Sequence, residues 1–375
     1  MGTAKTVDLK YYAPAFSISV NNTELAQDIS KAIVSVRVNE KLDTPSESTI
    51  SVNDEFSLKT QRFEWLDNDL FRVGNRIEIS MGYAGNLNQM ISGKITSLES
   101  SFFSNSAPTL TMIAKDPLHI ITKKTDPEDR QKFNNAASQN VKDSDIAGFI
   151  SQFISQKLNV SLSTEIEPTT IQHTRVQLRG DTSFYEFLRD RASRIYYEFY
   201  IRGNKFYFIS PKTDRKETLT LKWGSDLISF KPNISSSELV TEVNIRSRNS
   251  STGEDIEGSA RTGSEKKQEQ RELASQLVAK FYEEVKEIKK EITNIPVFSQ
   301  AEADEVAKAQ LNKASDSLIT GDAETIGIPE LRPGVSIKLD NLGKWFSGKY
   351  YVTEATHIID NNGYRTRFKV RRNAL

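Results

Sequence analysis

Two stretches of this chain repeat the same order of residues, and such a repeat restricts the fold more than any composition can. The first reads Arg72-Val73-Gly74-Asn75-Arg76-Ile77-Glu78-Ile79, and the second reads Arg332-Pro333-Gly334-Val335-Ser336-Ile337-Lys338-Leu339. Each is followed by a turn and a second matching stretch. These are Ser92-Gly93-Lys94-Ile95-Thr96-Ser97-Leu98-Glu99 and Ser347-Gly348-Lys349-Tyr350-Tyr351-Val352-Thr353-Glu354. Both pairs lie about 255–260 residues apart, as two copies of one supersecondary unit would. Gly74 and Gly334 are placed to turn the chain into a strand. Gly93 and Gly348 fall inside strand patterns, where glycine marks a bulge or a close backbone approach. Chance convergence on Arg-x-Gly-x-x-Ile is the competing explanation, and two matches in the same order weigh against it.

The rest of the chain alternates between two periods. Phe16-Ser17-Ile18-Ser19-Val20, Ile33 to Val38, Ser48 to Val52, Arg76 to Met81, Met90 to Leu98 and Leu110 to Ala114 read as half-buried strands. Gly82-Tyr83-Ala84-Gly85-Asn86 reads as a hairpin turn. Many short strands with regular turns predict a small barrel or sandwich. Ile146, Phe149, Ile150, Phe153, Ile154 and Leu158 then recur at helical spacing after Asp143-Ser144, and a second helix starts near Asp181-Thr182-Ser183. An aromatic hairpin turning at Gly203-Asn204 follows, its rings expected in a core. Beyond Pro211 the β pattern returns. Residues 249–264 read as an exposed loop, and 268–291 as a charged helix with Leu273, Leu277, Phe281, Val285 and Ile288 on one face. Ser299 and Glu302 form a capping box opening another helix.

Composition excludes several kinds of chemistry. With no cysteine among 375 residues, disulfides, thiolate metal sites and cysteine nucleophiles are ruled out. Lys plus Arg and Asp plus Glu each number 50, so no bulk attraction to nucleic acid or an anionic membrane is expected. No apolar run approaches the roughly 20 residues of a spanning helix, and the first twelve residues lack the apolar segment of a secretory signal. The three histidines are His119, His173 and His357. His119 and His357 lie in strand-like contexts. Glu64 beside Trp65 has no partner carboxylate at a defensible spacing. Asp126-Pro127-Glu128-Asp129 reads as a solvated acidic turn and 286–291 as a solvated helix face. Phosphate loops, dinucleotide fingerprints, zinc motifs and serine elbows are all missing. Catalytic residues, metal ligands and cofactors are therefore expected to be none, and the chain is expected not to be an enzyme.

The residues also carry a resemblance. Tyr12-Ala13-Pro14-Ala15-Phe16-Ser17-Ile18-Ser19-Val20-Asn21 resembles the opening of the phage late control gene D family. Similar to that family, in order, are Arg72-Val73-Gly74 leading to Gly82-Tyr83-Ala84-Gly85 and Met90-Ile91-Ser92-Gly93, the helix from Asp143, and Asp181 to Phe199. The ending, Gly348 to His357 with Gly363-Tyr364-Arg365-Thr366-Arg367-Phe368, completes the series. The family includes baseplate hubs, the hub portion of type VI secretion spike proteins, and hubs of bacteriocins and extracellular injection systems. The resemblance implies an α+β, mainly β fold with two tail-tube-like antiparallel barrels around a helical and mixed domain. The boundaries expected are 1–118, 119–212 and 213–375, with a charged helical insertion at about 255–320.

The function implied is that of a structural, trimeric adaptor joining a hexameric tail tube to a trimeric spike. Its partners would be itself, the tail tube protein, a separate spike protein (since the second barrel ends the chain), and baseplate wedge or tube-initiator proteins. Direct nucleic-acid binding and stable membrane insertion are not expected. The place implied is a virion tail, baseplate or injection particle, with synthesis in the bacterial cytoplasm. Arg72, Gly74, Gly93, Arg332, Gly334 and Gly348 would build the barrel repeat, and the tip Gly82, Tyr83, Ala84 and Gly85 would reach toward the tube. The alternatives are a baseplate-associated peptidoglycan hydrolase and a surface glycan-binding β-sandwich.

Overall fold

The computed structural model describes residues 5–6, 13–137, 139–174, 176–248, 253–269, 271–282 and 287–375. One sheet of fourteen strands organises them. Its first arm consists of β1 (Pro14–Val20), β2 (Ile33–Lys41), β3 (Glu47–Asn53), β4 (Arg76–Tyr83), β5 (Asn86–Ser101) and β6 (Thr109–Lys115). In space these run β1-β4-β5-β6-β3-β2. Alternation drives the arm: Val36 and Val38, Ile50 and Val52, Ile77 and Ile79, and Leu110 and Met112 are buried on one face. Full burial of each such side chain stabilises by about 1.5–3 kcal/mol.

The middle unit holds α1 (Pro127–Ala136), α2 (Asp143–Leu158), β7 (Ser163–Ile166), α3 (Phe184–Arg194), β8 (Glu198–Arg202) and β9 (Lys205–Ile209). The expected apolar stripe of α2 is realised in buried Ile146, Ile150 and Ile154, with Phe149 and Phe153 partly buried. Ser183 caps α3: its hydroxyl accepts from the Glu186 amide, while Glu186 accepts from the Ser183 amide. The hairpin aromatics Phe199, Phe206 and Phe208 lie in this core, as their pattern predicts.

The second arm comprises β10 (Leu219–Lys222) and β11 (Leu227–Ile234), then β15 (Ile319–Ile326), β16 (Ser336–Asp340), β17 (Gly348–Asp360) and β18 (Gly363–Arg372). Between β11 and β15 the chain forms β12 (Glu242–Arg248), β13 (Asp255–Arg261), α4 (Ala274–Phe281), β14 (Lys289–Ile292) and α5 (Gln300–Asp316). The second arm is ordered β10-β16-β17-β18-β15-β11. Counted within each arm, this is the order of the first. The bulges recur as well. β2 slips against β3 between Ile33 and Ser35, as β11 slips against β15 between Leu227 and Ser229. Thr96 is the extra residue of β5 against β6, as Thr353 is of β17 against β18. One pairing differs: β1 meets β4 antiparallel, whereas β10 meets β16 parallel.

The chain is mainly β with a large antiparallel sheet, as expected, and its two β regions are arms of that one sheet, with no closed barrel among the described residues. Among the described residues neither arm closes on itself: the outer edge of β2 pairs with β17 of the other arm, and β11 pairs with β15 and no further strand. Three local readings also change. Residues 255–261, expected as loop, form β13 along β12. Their buried positions are Ile256, Gly258 and Ala260, and a Cβ on Gly258 would lie 2.3 Å from the backbone of Ala303 in α5. Polar composition hid that strand. The charged segment is helical only over Ala274–Phe281, and Val285 lies outside the described residues. That helix packs on the second-arm core through Ala274, Leu277 and Val278, whereas the segment's end enters β14 of an α/β unit in which β12, β13 and β14 pack beneath α5 around Val243, Ile245, Val306 and Leu311. Finally, His119 sits in a 3-10 turn, Pro117–Thr122, rather than in a strand.

Candidate functional site, the seam between the arms

The seam runs antiparallel from Glu354 opposite Lys41 to Ile359 opposite Val36. β17 reaches it because its first residues, Gly348 to Tyr351, are taken by β16, leaving the rest of that edge for β2. Side chains alternate across a strand, so the joined sheet has two distinct faces. On one, Arg37, Asn39, Glu324, Thr356, Arg367 and Lys369 are polar. Thr356 Oγ1 donates to Asn39 Oδ1 at 3.0 Å across the seam. Glu324 meets Arg367 at 3.2 Å, and Glu354 meets Lys369 at 3.4 Å. Exposed pairs of this kind each contribute about 0–1 kcal/mol, so this face is hydrated and nearly charge-balanced.

The opposite face is clamped. Arg332 is buried beneath the seam, and its Nε donates to both Glu40 oxygens, at 3.0 and 2.8 Å. Its terminal nitrogens donate to the carbonyls of Gln89 (3.1 Å) and Met90 (2.7 Å). One side chain thereby joins the β15–β16 connection to β2 and β5. Next to it, His357 is buried with Nε2 3.1 Å from the Leu331 carbonyl. Its Nδ1 lies 2.9 Å from the Tyr364 hydroxyl and 3.1 Å from that of Thr366. Burial pushes His357 down to about 4. The imidazole is neutral, with Nε2–H donating to the carbonyl and Nδ1 accepting.

A second clamp ties the seam to the middle unit. Asp43, in the left-handed region at φ 56°, accepts from the Phe199 amide at 2.8 Å and donates its own amide to the Phe199 carbonyl at 3.0 Å. Tyr185 Oη donates to the Asp43 carbonyl at 2.8 Å. Burial pushes the Asp43 carboxyl up to about 6, against the Phe199 hydrogen bond and the charge of Arg371. Nearby, Tyr196 Oη donates to Asp316 at 2.7 Å, Tyr351 Oη donates to Glu198, and Arg371 lies 3.3 Å from Asp316. Burial raises Glu198 to about 7. A cavity of about 330 Å³ opens beside these groups, lined by Asp43, Glu198, Lys313 and Arg371 among others. Asp43 and Asp316 are engaged by the protein itself, and Glu198 through its Oε1.

The residues named from the sequence divide unevenly. Gly74 and Gly334 are equivalent: both have positive φ, 98° and 84°. Their amides donate to the Ile95 and Val352 carbonyls at 2.8 and 2.9 Å. Ile95 and Val352 each precede the extra threonine, so they are equivalent too. It follows that Gly93 corresponds to Tyr350, not to Gly348. Ile77 faces Gly93 as Ile337 faces Tyr350, and the sequence pairing of the two glycines is a two-residue slip. Gly93 is required because a Cβ there would lie 2.1 Å from the Lys115 carbonyl oxygen. Gly348 instead faces the guanidinium of Arg372. Arg72 and Arg332 also part company: Arg72 is exposed and paired with Asp69 at 2.5 Å, while Arg332 is the clamp. At the hairpin tip Ala84 and Gly85 are exposed. Tyr83 is held back, its hydroxyl donating to the Gly327 carbonyl at 2.8 Å.

The residues weighed for catalysis are scattered. His119 Nδ1 lies 2.7 Å from the Asp116 carbonyl, and Glu64 is exposed on the first arm. His173 belongs to a buried cluster with Asp143 (3.1 Å) and Arg191. Asp126 is the residue before α1, whose first turn carries Glu128 and Asp129, paired with Lys132 and Lys157. Among the described residues no three metal-ligating side chains converge, and no helix is long and apolar enough to cross a membrane. Sequence reasoning missed Glu40, Asp43, Glu198, Asp316 and Arg371. Glu40 alone carried a signal, a charge continuing the inward phase of Val36 and Val38.

Comparison with known proteins sets this geometry in a family. The sequence profile of the Alg8 N-terminal domain family matches residues 12–361. That family takes the place of the late control gene D family named from the motifs. No curated protein matches the chain. Among solved structures, the 43 kDa tail protein of prophage MuSo2 from Shewanella oneidensis aligns with a TM-score of 0.70 at 10% identity, over 96% of this chain and 98% of that one. A tail protein from Neisseria meningitidis MC58 aligns at 0.69 and 9% identity, covering 96% and 97%. An E. coli component of the type VI secretion system aligns at 0.54 and 11% identity, covering 94% and 76%. The fold is thus that of phage tail proteins.

Proposed function

The chain belongs to the Alg8 N-terminal domain family, and we propose that it is a structural hub of a contractile injection machine, a homotrimer seated between a hexameric tail tube and a trimeric spike. The observation that carries this reading is the pair of arms with one strand order and matching bulges. Sixfold and threefold rings share no common set of equivalent contacts. Three chains, each offering two like arms, present six similar faces to the tube and three identical ones to the spike. The tail-protein fold supports the same reading, as does the resemblance of the motifs to late control gene D hubs.

The partners that follow are a second and third copy, the tail tube protein, a spike protein, and baseplate wedge or tube-initiator proteins. The place is the tail, baseplate or injection particle. We assign no catalytic role, because each histidine is engaged in local packing or hydrogen bonding. Ala84 and Gly85 are our candidate tube contact, with Tyr83 anchoring the tip rather than reaching out. Imaging of assembled particles tests the reading. Three copies at the tube–spike junction, with both arms in one ring, are expected. Six copies, or a position off the tube axis, would overturn it.

A further inference from the structure

The seam inside one chain specifies a second seam between chains. β17 gives the first part of one edge to β16 and the rest to β2. β5 is its counterpart and gives the first part of the same edge to β4, up to Lys94 opposite Arg76. Beyond Ile95, whose carbonyl and amide bond Gly74 and Asn75, no strand among the described residues pairs with that edge. The counterpart of β2 is β11, and among the described residues β15 is the one strand that pairs with it. The chain therefore carries both halves of its internal junction a second time, unpaired. The two edges bound eight consecutive strands and, among the described residues, are not paired with each other within the molecule.

We propose that β11 of one copy pairs antiparallel with the 97–101 segment of β5 in the next copy, in the register of the β2–β17 seam. This rests on the ring reading above and names the contact that would close it. Matched through the bulges, Leu98 falls opposite Ile234, Glu99 opposite Asn233, Ser101 opposite Lys231, and Phe102 opposite Phe230. The chemistry agrees at each step. Leu98, Ile234 and Phe230 are partly buried against the cores of their own arms, as apolar residues missing one neighbour would be. Phe102 is 58% exposed. On the polar face Glu99 comes diagonal to Lys231. Pro232 falls opposite Ser100 with its nitrogen on the open edge, since the Ser235 amide points inward to Leu318. That ladder bond is lost, which weakens the pairing and discourages indiscriminate edge association. The contact is head-to-tail, so it must close into a ring or extend.

The cysteine-free chain makes the test direct. Glu99 and Asn233 correspond to Thr356 and Asn39, a pair without mutual backbone hydrogen bonds, where Cα atoms approach to about 4.5 Å, within disulfide reach. The full-length chain with Glu99→Cys and Asn233→Cys is oxidised, both purified and in particles. Covalent oligomers ending at three copies are expected on a non-reducing gel, with none from either single variant. Asn39→Cys with Thr356→Cys should close within one chain and certifies the oxidation. Ser101→Cys with Lys231→Cys serves as the second pair should the first disturb folding. Absence of intermolecular disulfide from both pairs, with folded protein and a closed control, overturns the proposal. If imaging then still places three copies at the junction, the ring reading survives and only this contact fails. If the copies lie elsewhere, both fail.

Discussion

Arg332 grips Glu40 through its Nε at 2.8 and 3.0 Å, across 292 positions of sequence, and both side chains are buried. The same guanidinium caps the Gln89 and Met90 carbonyls. Removing one partner of such a pair strands the other charge, which costs about 3–5 kcal/mol. Arg332→Ala should therefore destabilise strongly in denaturant titration, and Arg332→Lys should recover only part, since an ammonium cannot reproduce the planar fork. Arg72→Ala removes an exposed pair and should change stability by no more than about 1 kcal/mol. Equal effects at the two arginines would contradict this assignment.

The glycines separate in the same way. A side chain at Gly93 would overlap the Lys115 carbonyl oxygen at 2.1 Å, so β5 or β6 must move. At Gly348 the nearest atoms belong to the end of the Arg372 side chain, at 2.8 Å or more, and the cost there comes chiefly from its φ of 154°, which strains any side chain. Gly93→Ala should lower the melting temperature more than Gly348→Ala. Matching losses would restore the equivalence that the sequence suggested.

Much of this architecture was legible because it rests on local alternation. Most strands of the two arms (β15 excepted), α2 with its Ile146 and Ile150 stripe, and the helix start near Ser183 follow from short-range patterns. Gly74 and Gly334 aligned correctly because each needs positive φ at the same turn. Gly93 and Gly348 misaligned because the hairpin between Ile337 and Tyr350 is shorter than the one between Ile77 and Gly93, so spacing alone could not hold the register. A shared Ser-Gly-Lys string outweighed the register, which depends on pairing partners distant in sequence. The seam itself was hidden for that reason. Nothing near Lys41 announces Glu354, and nothing near Asp43 announces Phe199. Strand β13 was missed because Gly258 and Ala260 face a helix too closely for larger apolar residues.

Asp43 should leave a mark on the pH dependence of stability. Its carboxyl is raised by burial to about 6 from 3.8, so the folded protein binds this proton more tightly than the unfolded chain. The resulting stabilisation is complete below about pH 4 and is lost as pH rises through 6, an effect on the order of 3 kcal/mol. Asp43→Asn keeps an acceptor for the Phe199 amide and cannot ionise. The unfolding free energy at pH 7.5 minus that at pH 4.5 should be more positive in the variant than in the parent, because a term that favours the folded state only at low pH has been removed. A variant with an unchanged difference would show that Asp43 ionises at no cost.

His357 acts in the opposite direction within an overlapping window. Burial holds it at about 4, below its ordinary 6.5, so the unfolded chain takes up the proton first. Stability contributed by the neutral ring is complete above about pH 6.5 and declines as pH falls toward 4, by on the order of 3 kcal/mol. Protonation would convert Nδ1 from acceptor to donor, so that the hydroxyls of Tyr364 and Thr366 would have to turn and accept, while placing a buried cation beside Arg332. His357→Gln retains one donor and one acceptor but does not titrate in this range. The variant should be less stable than the parent at pH 7, where the ring packs best. The gap should narrow steadily toward pH 4.5, as read from denaturant midpoints. A gap that stays constant from pH 7 to 4.5 would mean that His357 carries no acid sensitivity, and that the seam fails in acid for another reason.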